Sequence, residues 1–160
     1  MKILVLSDSH GRIHNMKLAL TRTDCDIVFH LGDSELSREE LERLFSCPVL
    51  MVRGNMDRDM SYKIEETFDI SGHRFLLSHG NRLGVNYGYE GLIEEAAKVH
   101  ADVALFGHTH IPELKYYKEN DLYIANPGSI EMPRQDGRKP SYLVIDAEED
   151  GILSFKEMYL

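Results

Sequence analysis

Two aspartates, one asparagine and four histidines stand where five apolar runs break off. Asp8 and His10 follow Ile3-Leu4-Val5-Leu6, and Asp33 follows Ile27-Val28-Phe29-His30-Leu31. Asn55 follows Val49-Leu50-Met51-Val52, His79 follows Phe75-Leu76-Leu77, and His108 with His110 follows Val103-Ala104-Leu105-Phe106. Hard oxygen donors mixed with imidazole suit Mn²⁺, Fe²⁺, Ni²⁺ or Zn²⁺, and no thiolate is present to mark a structural zinc site. Seven ligands are too many for one tetrahedral ion. They suit two ions sharing a carboxylate, with open positions for water and substrate. In Gly107-His108-Thr109-His110 the two imidazoles are spaced i, i+2, so an extended chain puts them on one face. Their Cα atoms would lie roughly 6.5–7 Å apart at about 3.3 Å of rise per residue. That separation suits two neighbouring targets at least as well as one. Taken singly, a DxH or a GD is a weak signal; the weight comes from repetition. Each break also carries a glycine (Gly11, Gly32, Gly54, Gly80, Gly107), where a tight turn could aim the ligand.

The elements that must position these residues begin as strand, helix, strand, helix, strand. Strands are expected over 2–7, 27–31 and 48–52. Ile13, Met16 and Leu20 give a helical stripe behind Gly11, and Ser37 with Glu40 matches a capping box for a helix to about Phe45. Short loops between them argue for a parallel sheet core. Next come a hairpin of 64–70 and 73–77 around Ser71-Gly72, a helix over 89–99, and a strand over 102–106. Hairpins of 113–118 with 121–125 and of 141–146 with 152–158 complete the chain, with Asn126-Pro127-Gly128-Ser129 read as a turn between them. In open α/β sheets ligands gather beyond the carboxyl ends of the strands, which would bring all five breaks to one rim.

At 160 residues, 42% hydrophobic and 28% charged, the chain reads as one domain, 1–160, of ordinary globular composition with a sizeable core. No apolar stretch approaches the roughly 20 residues of a membrane span, and Ile3–Leu6 is too short for a signal segment, so a cytoplasmic protein is expected. Cys25 and Cys47 have no CxxC spacing and are expected to be small buried hydrophobes. The net charge of −9, with scattered Lys and Arg, argues against extended nucleic-acid binding. It leaves room for an anionic substrate, because bound metal reverses the local sign.

Asp8-Ser9-His10, Gly32-Asp33, Gly54-Asn55-Met56-Asp57, Ser78-His79-Gly80 and Gly107-His108-Thr109-His110, in that order, resemble the signature of the calcineurin-like metallophosphoesterases. The short length and Asn126-Pro127-Gly128-Ser129 are similar to the small YfcE-type phosphodiesterase branch. The resemblance implies an α/β fold, a four-layer α/β/β/α sandwich of two mixed sheets. It implies that Asp8, His10, Asp33 and His110 hold one metal, and that Asp33, Asn55, His79 and His108 hold the other. Mn²⁺ is the first choice. The implied activity is hydrolysis of a small phosphate ester, with Asp33, Asn55 and His79 as the catalytic set around a metal-activated hydroxide. One departure stands out. Where the family often has a leaving-group histidine, this chain has Met56, which cannot donate a proton. Losing such an acid is typically worth about 10²–10⁴-fold, which favours phosphodiesters over ordinary monoesters. Phosphomonoesterase or nucleotide phosphatase activity is the alternative.

Asn55, Arg12 and Arg53 are candidate substrate contacts, although a solvated arginine is the plainer state for Arg12, Arg53 and Arg58. His30 reads as a core histidine; His14, His73 and His100 read as helix or turn residues. Tyr116, Tyr117 and Tyr123 pack between strands or form an interface, which would suit a homo-oligomer. Substrate choice is expected to lie in loops around 56–62, 80–90 and 129–140. A rival of another class is a binding scaffold, since a retromer subunit shares the implied fold, lacks part of the ligand set and works through protein contacts.

Overall fold

A computed structural model describes residues 1–160. In chain order the elements are β1 (Lys2–Leu6), α1 (His14–Arg22), β2 (Ile27–His30), α2 (Arg38–Leu44), β3 (Val49–Met51), β4 (Glu65–Ile70) and β5 (His73–Ser78). There follow a 3₁₀ turn (Asn81–Leu83), α3 (Glu90–Lys98), β6 (Val103–Leu105), β7 (Pro112–Tyr117), β8 (Leu122–Pro127), β9 (Ser141–Ala147) and β10 (Leu153–Tyr159). They form two five-stranded mixed sheets, β10-β9-β1-β2-β3 and β4-β5-β6-β8-β7. β1, β2 and β3 run parallel in the first; β5, β6 and β8 run parallel in the second.

Alternation along the strands creates the layers. Ile3 and Val5 face a core shared with Phe75, Leu77, Val103 and Leu105, which lies between the sheets. Leu4 and Leu6 face the other way, toward Met16, Ala19 and Leu41 of α1 and α2. In the second sheet Leu76 and Ala104 turn outward onto Leu92 and Ala96 of α3. The order is therefore helices, sheet, sheet, helix: the four-layer α/β/β/α sandwich. Strands buried on both faces read as unbroken apolar runs, which is why they were legible. No helix is long and apolar enough to cross a membrane.

Local signals explain several boundaries. Ser37 and Glu40 form the reciprocal capping box that opens α2. Ser71 and Gly72 both have positive φ, 50° and 84°, as a two-residue hairpin turn requires. α1 has no side-chain cap of its own; the carboxylate of Glu131 accepts from Asn15 N at 2.9 Å in its place. His100 takes φ 56° just past α3, and Ala101 N closes back on Ala96 O, the left-handed helix stop usually given to glycine.

Three expectations are corrected. Asn126 and Pro127 do not begin a turn: β8 runs through Pro127, which pairs with Pro112 of the edge strand β7, where missing N–H groups cost little. His73 is no turn residue. Its Nδ1 lies 2.6 Å from Asp102 and its Nε2 2.6 Å from Gly151 O, so it latches the second sheet to the β9–β10 turn of the first. Cys25 and Cys47 are only partly buried and sit side by side, Sγ to Sγ 3.7 Å, in the connectors leading into β2 and β3. The late tyrosines do pack between strands, Tyr116 on Tyr123 and Tyr123 on Phe155, with ring centroids 4.7 and 5.0 Å apart.

Candidate metal centre

All five ligand-bearing loops leave the carboxyl ends of β1, β2, β3, β5 and β6, and both sheets present that rim on the same side of the molecule. Beyond their strands the first two loops stay zipped: Asp8 N, His10 N and Gly11 N donate to Gly32 O, Asp33 O and Ser34 O. The two sheets are then stitched across the site. His79, from the second sheet, donates through Nδ1 to Leu31 O of the first at 2.7 Å, and His108 N donates to Asp8 Oδ2 at 3.1 Å.

Two triads result. Asp8, His10 and His110 bring one ligand atom each within 4.8 Å of one another, as do Asp33, His79 and His108. His110 Nε2 lies 3.1 Å from Asp8 Oδ1, and His79 Nε2 lies 3.3 Å from Asp33 Oδ2. Six of the seven candidate ligands named from sequence thus fall into two groups, with Asp33, expected in both, grouped only with His79 and His108. Asn55 sits on the rim beside Asp33, exposed, between Gly54 and Met56, whose N–H groups are fixed on Asp57 and on Asp33 Oδ1 respectively.

The outward-facing ring nitrogens are already committed. His10 Nδ1 meets Glu35 Oε1 at 2.8 Å, and His110 Nδ1 donates to Met132 O at 2.7 Å. With His79 Nδ1 on Leu31 O, three imidazoles are oriented with Nδ1 outward and Nε2 inward, the usual arrangement behind metal-ligating histidines. His10 Nε2 and His110 Nε2 face each other at 3.4 Å, with Asp8 Oδ1 3.1 Å from the latter, so three atoms able to ligate a cation converge on one point. Asp8 Oδ1 and His79 Nε2 are buried and make no well-aligned hydrogen bond; the polar atoms they approach, His110 Nε2 and Asp33 Oδ2, belong to the same triads. Buried polar atoms lacking such a bond are rare, and here they point into the triads. The donor set and these two atoms fit divalent first-row ions.

Charge agrees. Burial would raise the Asp8 carboxyl, but the His110 and His79 imidazoles outweigh it and hold it below the ordinary value. Asp33 is likewise lowered, its burial outweighed by His79 and by the Met56 N–H. His79, which burial would lower, is lifted by the same Asp33. His108 is lowered by burial and by its neighbour His79, so it stays neutral and able to give a lone pair. His30 lies beneath the site, fully buried, Nε2 3.2 Å from Ser9 Oγ, its imidazole pushed down to about 4 by burial; it is the core histidine expected.

The backbone is strained where the ligands are. Asp8, His10, Asp33, His108 and His110 all have φ between 48° and 67°. Residues in that region cost about 1–3 kcal/mol each and persist only where the surroundings over-determine them. Five such residues among the seven candidate ligands mark the rim as a place where aim outranks stability. Of the five glycines, Gly11, Gly32 and Gly80 take the positive φ of a tight turn, and Gly54 and Gly107 do not. Gly54 is there because a Cβ would press into the Asp33 carboxylate and its N–H.

Several residues support the site through contacts that the sequence does not show. Asp57 accepts N–H groups from Asp33, Gly54 and Glu35 at 2.8, 2.8 and 2.7 Å, so it clamps the two loops and orients no histidine. Asn126, wholly buried, donates to Gly107 O and Thr109 Oγ1 and so braces the His108/His110 loop. Ser129 Oγ donates to Asp8 O. Asn86 Nδ2 lies 2.9 Å from His108 Nε2. Glu35 and Asn86 were not anticipated, and Asn126 and Ser129 entered only as part of a turn and of the branch resemblance, with no contact assigned to them. Arg12 is exposed and unpaired beside the first loop, whereas Arg53 lines a cavity with Asn55.

The model of the calcineurin-like phosphoesterase superfamily domain matches residues 1–150. A probable metallophosphoesterase of Bacillus subtilis, YsnB, is 32% identical over 154 residues, covering 94% of this chain and 86% of that protein. The phosphodiesterase YfcE of Escherichia coli is 27% identical over 118 residues, covering 68% of this chain and 58% of that protein. The solved structure of a predicted phosphoesterase from Streptococcus pneumoniae superposes with a TM-score of 0.80 at 28% identity, covering 99% of this chain and 97% of that one.

Proposed function

The chain belongs to the calcineurin-like phosphoesterase superfamily, and from that membership we propose that it is a two-metal phosphodiesterase acting on a small phosphate ester. The observation that carries the reading is the paired triads, whose buried ligand atoms face one another with no well-aligned hydrogen bond among them. Asp8, His10, Asp33 and His110 would hold one ion, and Asp33, Asn55, His79 and His108 the other. Bound there, two divalent ions, Mn²⁺ by preference, supply an activated water and neutralise phosphate charge. The protein's own part is positioning. Glu35, Leu31 O and Met132 O fix the imidazole planes, Asp57 and Gly54 fix Asp33, and Asn55 at the rim offers its amide to a phosphate oxygen. Met56 is half-exposed beside Asn55, where a proton donor to the leaving oxygen would stand. This supports diesters, or esters with good leaving groups, over unactivated monoesters.

The test is hydrolysis of bis-p-nitrophenyl phosphate by the Mn²⁺-loaded protein, with and without chelator, alongside Asp33→Asn. Chelation and the substitution should each remove nearly all turnover. A fully active Asp33→Asn protein would sink the assignment. A folded protein that binds metal yet turns over no ester would return the scaffold reading.

A further inference from the structure

Beside the metal rim a cavity of about 290 Å³ is lined by Arg53, Asn55, Met60, Ile64, Asn81 and Arg82, among others. Its two guanidiniums are not spoken for. The chain's arginine ion pairs are Arg43 with Glu39 and Arg74 with Asp69, and neither Arg53 nor Arg82 forms one. Arg53 leans on a thioether, its Nη1 3.0 Å from Met60 Sδ, a weak acceptor that an anion would replace without cost. The carboxylate on the cavity wall, Asp57, pairs with neither arginine and is largely taken up by three backbone N–H groups. Glu65 on β4 feels Arg82 at longer range but makes no ion pair with it. On a chain of net charge −9, two unpaired arginines sharing one cavity with a candidate metal ligand are a local reversal of sign. Planar guanidinium forks suit the tetrahedral oxygens of phosphate.

We propose that Arg53 and Arg82 form a second anion subsite, which receives a further phosphate of the same substrate while the ester to be cut lies over the metal rim. The subsite rests on the phosphodiesterase reading and narrows it: the preferred substrate carries two phosphates, one a diester and one terminal. Arg53 follows β3 and Arg82 lies on the 3₁₀ turn after β5, so the subsite spans both sheets, as the metal triads do. Asn81 adds an amide donor, and Met60 and Ile64 give an apolar wall for the group linking the phosphates.

A matched pair of chromogenic diesters tests this: thymidine 5′-(p-nitrophenyl phosphate) and the same compound bearing a 3′-phosphate. Both lose p-nitrophenol by cleavage of the same bond. The 3′-phosphate should raise kcat/KM about tenfold or more, the scale of one charge-assisted hydrogen bond, and chiefly through KM. Arg82→Ala and Arg53→Ala should each shrink that ratio toward one, with Arg82→Lys retaining part of it. A structural defect would instead lower both substrates together and leave the ratio intact. A ratio of one in the unaltered protein, or a ratio untouched by either alanine, overturns the subsite. If neither diester is cut, the phosphodiesterase reading fails by itself. Calorimetric titration of the Mn²⁺-loaded protein with thymidine 3′,5′-bisphosphate and thymidine 5′-monophosphate then decides the subsite. Tighter binding of the bisphosphate, lost in Arg82→Ala, supports it; equal binding refutes it.

Discussion

Removing the Asp57 carboxylate should be among the most damaging single changes to this chain, though it is no candidate ligand. Oδ2 accepts from Asp33 N and Gly54 N, both at 2.8 Å, and Oδ1 accepts from Glu35 N at 2.7 Å. Asp33 and Gly54 are buried and Glu35 is exposed. In Asp57→Ala two N–H groups therefore lose their only acceptor away from water, while the third can turn to solvent. At about 1–3 kcal/mol per buried unsatisfied donor, the cost is about 2–6 kcal/mol. Set against a typical total of about 5–15 kcal/mol, that leaves a marginal fold. Asp57→Asn should cost less, about 1–2 kcal/mol, because its amide oxygen can take the place of Oδ2 and keep the two buried bonds as weaker neutral ones. Urea unfolding with chelator present isolates this term from stabilisation by bound metal, and m should stay constant. The order alanine worse than asparagine is the signature of the clamp. Metal content should fall in the same order, because the lost N–H bonds set Asp33 itself and Glu35 behind His10. An Asp57→Ala protein within about 0.5 kcal/mol of the original, the range of ordinary surface changes, would refute the reasoning.

Two further outcomes follow from particular contacts. Met56→His puts a proton donor beside the leaving oxygen and should raise monoesterase relative to diesterase turnover; p-nitrophenyl phosphate and bis-p-nitrophenyl phosphate measure the ratio, and no change counts against the missing-acid argument. His73 lies between Asp102 and Gly151 O with both ring nitrogens donating, so it holds its charge; burial would lower its pKa, but these two partners outweigh it and raise it above the ordinary value near 6.5. A raised histidine contributes stability that is fully present below the unfolded value and lost as pH rises through the folded one. The penalty of His73→Ala in thermal unfolding should accordingly be largest near pH 6 and fade in mildly alkaline buffer. A penalty that grows with pH would reverse the assigned charge state.

What was legible in the sequence and what was not divide along a physical line. A strand buried on both faces is a run of apolar residues, and its end is local, so Asp8, Asp33, Asn55, His79 and the His108/His110 pair could be found by where the runs stop. Their convergence followed from the parallel order of β1, β2 and β3. That there are two mixed sheets came only with the family resemblance, and the pairing of β8 with β6 only with the structure, because no local pattern says which strand lies beside which. The residues that hold the ligands still were almost wholly illegible. Glu35 reaches His10, Asn126 reaches Gly107, and Ser129 reaches Asp8 across 25, 19 and 121 residues respectively. Each of these, read locally, is a solvated charge or a turn former. Backbone strain hides for a related reason: left-handed φ is sought at glycine or asparagine, yet here Asp8, His10, Asp33, His108 and His110 take it. Such a conformation is unfavourable on local grounds, so no local rule can find it. It exists because clamps distant in sequence hold it, and those clamps are the residues that local reading passes over. The ligands and their strain are thus one feature seen from two ends. A sequence shows the end that does chemistry, and only the fold shows the end that makes the chemistry hold its aim.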